Sequence, residues 1–160
     1  MVKKGKKGSF LKTFTEDVST FSLLGIRSTE SDTRMAWLLN RALGLDFVHY
    51  LDLYGREPDN ASQPTIFGEV KPEERRQFAV FRAADSALHR LYILITNRQS
   101  SEVLLKKLAQ VDYLLKISDA LQDDELAALG AAIRSIPGVQ MCFAVGNELK
   151  SDPLLLTLEA

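Results

Sequence analysis

Cysteine is nearly absent from this chain of 160 residues. Cys142 stands alone, so no intramolecular disulfide can form, and a reducing cytoplasm is the expected setting. Histidine is almost as scarce. His49 and His89 are the two present, far apart in sequence, and neither has a nucleophile and an orienting group beside it in the pattern that covalent or acid–base catalysis requires. Both fall by strand parity on otherwise apolar faces, so they read as satisfied or half-buried residues. An excess of charge of one sign is missing too: the net charge is −1, and the whole chain sets up no field selecting nucleic acid or a membrane surface. No apolar run is long enough to span a bilayer. The start, MVKKGKKGSFLKTF, is basic but lacks the apolar region of a secretory signal. Clustered metal ligands and a phosphate-binding glycine loop are likewise missing, GKKGS having neither the spacing nor a preceding strand. No catalytic residue, cofactor site or metal site is assigned.

Hydrophobic residues make up 46% of the chain, enough for a buried core in one domain of ordinary size. Residues 1–20 are polar and rich in Lys and Gly, and read as a basic flexible tail. Residues 21–146 read as a single domain, with 147–160 as a C-terminal tail or edge segment. FSLLGIRS (21–28) is a short strand. TESDTRMAWLLNRALGL follows as an amphipathic helix, with Thr29 and Asp32 as a capping signal, Met35, Leu38, Leu39, Ala42 and Leu43 as the apolar stripe, and Gly44 as its end. LDFVHYLDLYG is a strand. Residues 55–76 hold three prolines and many charges, and read as a long loop. Two strands follow, QFAVFRA and LHRLYILITN, joined by the turn ADSA.

VDYLLKIS (111–118) reads as a strand, with Val111, Tyr113, Leu115 and Ile117 toward the core and Asp112, Leu114 and Lys116 on a mixed face. DDELAALGAAIRSI is a second helix. Its acidic start suits the positive end of the helix dipole, and Pro137-Gly138 stops it. VQMCFAV is a last strand, with Val139, Met141, Phe143 and Val145 on one face and Cys142, a small packing residue, on the other. The resulting order, β-α-β-loop-β-β-β-α-β, predicts an α+β fold: a largely antiparallel sheet of about six strands with two helices on one face. A ferredoxin-like core with an added hairpin is the first topology and a profilin-like arrangement the second.

Three stretches of the chain resemble the bacterial IPExxxVDY family. LLGIRSTESDTRMAWLLNRALGLDF is similar to that family's first strand and helix, RLYILITNR to its central strand, and LLKKLAQVDYLLKI to its signature region. Together they span most of residues 21–145. The second half of the signature is present as Val111, Asp112 and Tyr113. The first half falls on Leu105, Lys106 and Lys107, so its Pro and Glu are missing, and no role for that Glu carries over. The family has no assigned activity; the resemblance implies a cytosolic bacterial setting and no mechanism.

Two surface features stand out. Lys3, Lys4, Lys6 and Lys7 form a basic arm that suits RNA, DNA or an acidic protein surface, or simply solubility. Trp37 points nearly opposite the centre of its helix's apolar stripe, at about 100° per residue. With Arg34, Asn40 and Arg41 it has the composition of an interaction hot spot, unless the long loop, the N-terminal segment or the C-terminal LLLTL folds over it. The expected function is a non-catalytic cytosolic binding or adaptor protein acting through a protein partner or a homodimer. The alternatives are a nucleic-acid-associated accessory protein using the lysine arm, and a small-ligand sensor or enzyme with a pocket near 55–76.

Overall fold

The apolar run that begins at Phe21 forms β1 (Ser22–Ser28), every residue of which except Arg27 is buried. The structure, a computed structural model, describes residues 21–54 and 77–158; the readings placed on 1–20 and 55–76 lie outside the described residues. After β1 comes α1 (Asp32–Leu43). Its cap is Ser31 and not Thr29: the Arg34 backbone N–H donates to Ser31 Oγ at 3.3 Å. Gly44 ends it at φ +64°, donating its N–H to the Asn40 carbonyl, a left-handed geometry that glycine adopts without a Cβ clash. The remaining elements are β2 (Val48–Tyr54), β3 (Gln77–Asp85), β4 (Arg90–Thr96), a small hairpin of β5 (Arg98–Gln99) and β6 (Glu102–Val103), β7 (Tyr113–Ile117), α2 (Asp123–Arg134), β8 (Val139–Ala144) and α3 (Pro153–Thr157).

Six strands form one sheet in the order β2-β3-β4-β7-β1-β8, every neighbouring pair antiparallel. The fold is therefore α+β, as the element order predicts. The inner order β8-β1-β7-β4, with α1 following β1 and α2 joining β7 to β8, is that of the ferredoxin-like core, and the β2–β3 hairpin extends it beyond β4.

Both faces of this sheet are covered. On one, Leu24, Ile26, Leu94, Tyr113 and Leu115 lie under Met35, Ala36 and Leu39 of α1 and Ile133 of α2. On the other, Leu23, Val80, Ile93 and Leu114 lie under Leu105, Leu108 and Val111 and under Leu155 and Leu158 of the C-terminal segment. That segment is a helix and not an edge strand, since Asp152 caps it by accepting from Leu154 N and Pro153 occupies its first turn, where the missing N–H is harmless.

The two-sided burial corrects several parity readings. β7 has no mixed face: Leu114 and Lys116 are buried with the rest. Val111 precedes the strand and packs on the face opposite Tyr113. In β8 a register shift opposite Arg27 and Ser28 breaks the alternation; Val139 joins Cys142 on the helix side, Phe143 and Val145 pack on the other, and Met141 is exposed. In α1, Ala36 is buried in place of Ala42. Among the described residues no helix is long and apolar enough to cross a membrane.

Candidate interaction surface

The spacing that turns Met35, Ala36 and Leu39 into the sheet turns Trp37 out of it. The indole is 43% exposed. It does not stand bare: the Arg34 guanidinium lies 4.5 Å from the ring centroid and that of Arg41 4.9 Å. The two arginines are one turn before and one turn after the indole, so the three side chains form a continuous strip along the helix. Cation–π contacts of this exposed kind contribute roughly 0.5–1 kcal/mol each, enough to bias the rotamers of two long side chains. Among the described residues the ion pairs are His49–Asp52, Arg90–Asp119, Arg90–Glu125 and Arg98–Asp112; neither Arg34 nor Arg41 joins one. The C-terminal segment does not cover the indole, because it packs on the opposite face of the sheet.

Asn40 belongs to the same helix but not to the exposed strip. Its Oδ1 accepts from Phe47 N at 2.6 Å and its Nδ2 donates to Phe47 O at 3.4 Å, which fixes the chain between α1 and β2. The four lysines of the basic arm lie outside the described residues, as does 55–76.

Val111, Asp112 and Tyr113 meet at the other end of α1 and act as a brace. Asp112 Oδ2 accepts from Ser28 N at 2.9 Å, and Oδ1 lies 3.2 Å from Arg98 Nε. The Tyr113 hydroxyl donates to the Glu30 carbonyl, and Val111 packs into the opposite core. Three successive residues thereby tie β1 and the start of α1 to β7. Burial, reinforced by Asp32, Asp112 and Glu30, holds the Tyr113 phenol well above its ordinary pKa, so it is a fixed donor and not a base. A depression of about 430 Å³ lies beside this brace, lined by Ser31, Asp32, Arg98, Ser100, Asp112 and Tyr113 among others. Asp112, Arg98 and Tyr113 are already engaged with one another or with backbone, and the arrangement holds the loop rather than offering a reactive pair.

His49 keeps its apolar face, edge-on to the Phe81 ring with centroids 5.8 Å apart, but is exposed, and His89 is not on a strand face. His49 is exposed on β2 and hydrogen-bonds Asp52 at 2.8 Å; His89 is exposed in the β3–β4 turn at φ +49°. The tight turn at 85–89 overrides simple alternation for His89. Cys142 is buried, and burial pushes its thiol up to about 11, which makes it a packing residue. Of the acidic run at the start of α2, Glu125 pairs with Arg90 at 3.1 Å. Among the described residues no three His, Cys, Asp or Glu side chains converge as metal ligands do.

Three buried polar residues had no sequence signal strong enough to single them out. Asn97 donates to Leu108 O and Val111 O and accepts from Leu105 N. Lys116 Nζ donates to Leu155 O at 2.7 Å and Leu158 O at 2.6 Å, holding the C-terminal helix, and lies 4.7 Å from the Phe21 ring. Lys150 donates to Phe21 O at 2.8 Å, and burial lowers its pKa. A lysine inside YLLKI was the available clue for Lys116, but strand parity alone placed it on a mixed face. No family model matches this chain, and no curated protein matches its sequence significantly.

Proposed function

We propose that this chain is a non-catalytic binding protein that works through protein–protein contacts, with the Arg34–Trp37–Arg41 strip of α1 as its docking surface. The observation that carries the reading is the outward indole flanked by two guanidiniums that no carboxylate of the described residues engages. Trp and Arg are among the side chains most often found to dominate interface energies. A rigid helix backed by the sheet presents them without reordering. Membership of the IPExxxVDY family goes with this proposal, and the part played there by Val111, Asp112 and Tyr113 is structural: they brace the start of the docking helix. The proposed setting is a bacterial cytoplasm, supported by a single buried thiol and no disulfide.

The test is Trp37→Ala, compared with the unaltered chain for oligomeric state in solution and for proteins retained from lysate of the native cell. The substitution leaves the fold intact, since the indole is outside both cores, and abolishes either self-association or partner retention. Unchanged behaviour in both assays removes α1 as the docking surface.

A further inference from the structure

The docking reading above says nothing of what the partner looks like; resting on it, we infer that the strip receives a protein segment carrying carboxylate side chains. Two guanidiniums lie over one indole, and no side chain among the described residues takes up their N–H groups. Neither Arg34 nor Arg41 makes a side-chain hydrogen bond or an ion pair among the described residues, whereas Arg90, Arg98 and Arg134 are all engaged. A planar fork is matched by a carboxylate, which accepts two parallel N–H bonds.

Both guanidiniums lie within 5 Å of one ring centroid, at 4.5 Å and 4.9 Å, so they stand less than about 10 Å apart. Carboxylates two residues apart on an extended segment share one face at roughly 6.6 Å, and those three or four apart on a helix are neighbours at about 5–6 Å, so either spacing falls within that reach. The indole between them offers apolar surface to whatever side chain lies between the acids. A nucleic-acid backbone is the poorer fit. Among the described residues the strip offers two cations, and phosphate affinity scales steeply with the number neutralised. A base stacking on the indole would also have to displace a guanidinium already there.

Trp37 is the single tryptophan of the chain, so its emission reports on this strip alone. The full-length protein is titrated with a short synthetic peptide of Leu residues with Glu at every third position, with the same peptide carrying Gln for Glu, and with a single-stranded DNA oligonucleotide. The Glu peptide shifts the emission, added salt weakens the effect, and an Arg34→Gln/Arg41→Gln double variant weakens binding by about tenfold or more. The Gln peptide binding as tightly as the Glu peptide, the oligonucleotide binding more tightly, or no shift with the Glu peptide overturns the inference. Its failure is separable from failure of the docking reading. If Trp37→Ala abolishes partner retention while the double Arg variant retains it, the surface stands and the acidic preference falls; if Trp37→Ala changes nothing, the surface itself falls.

Discussion

Asn97 sits at the point where β4 leaves the sheet, fully buried, and its amide closes three hydrogen bonds to the backbone between Leu105 and Val111. These bonds hold the segment that covers the second core. Truncation to alanine strands the Val111 carbonyl and the Leu105 N–H in the interior, the Leu108 carbonyl still accepting from Val111 N at 3.1 Å, and each buried unsatisfied group costs roughly 1–3 kcal/mol. Asn97→Ala is expected to lower the unfolding free energy by about 3 kcal/mol, read from the urea midpoint; a midpoint shifted by less than about 1 kcal/mol would show that water replaces the amide. Such a residue is illegible in the sequence. An asparagine at the end of an apolar run marks a strand end equally well, and its partners lie up to 14 residues away in the chain. Trp37 is the opposite case: helical phase alone placed it outward, because its immediate neighbours fix where it points.

Among the elements, β1 is the one whose sequence most restricts the fold. It lies between β7 and β8 with both faces covered. Gly25 lies where two packing residues crowd the strand: a Cβ there would stand 2.8 Å from Val111 Cγ1 and 3.1 Å from Phe143 Cζ. Gly25→Ala is expected to destabilise by about 1–3 kcal/mol through overpacking. Trimming the obstacle tests the cause: Val111→Ala should be less damaging in the Gly25→Ala background than in the unaltered chain, and strict additivity in this double-mutant cycle would locate the strain elsewhere. The helices α1 and α2 were readable because eleven or more residues of period 3.6 leave little ambiguity. The C-terminal LLLTL was not. Five residues carry too little periodicity to separate strand from helix, and the choice is made by Asp152, Pro153 and the ammonium of Lys116 capping the carbonyls of Leu155 and Leu158.

For the molecule taken together, alkaline pH acts on groups buried in both cores. The Cys142 thiol is pushed from its ordinary 9.0 up to about 11, and the Tyr113 phenol is pushed above its ordinary 10.0. Between the two values of each group the unfolded chain has lost a proton that the folded chain keeps, so stability falls as pH rises. Lys150 works the other way. Its folded pKa lies below 10.5, the unfolded chain holds the extra proton, and stability from this group rises with pH toward 10.5. The thiol alone accounts for up to about 3 kcal/mol across pH 9 to 11. Unfolding free energy measured by urea at a series of pH values is expected to decline over that range, and Cys142→Ala to make the decline shallower. An unchanged slope in the variant would mean that the thiol ionises as freely in the folded chain as in the unfolded one.

The order of strands and helices, the α+β class and the outward face of α1 were written locally, in periodicity, in Gly44 and in the acidic start of α2; each depends on contacts within a few residues. The second core, the register shift that turns Val139, the turn that takes His89 off its strand, the brace of Asp112 and Tyr113, and the burial of Asn97, Lys116 and Lys150 were not. These depend on which distant segments close over a sheet face, and a linear pattern of period two or 3.6 carries the direction of a side chain but not the identity of what it meets.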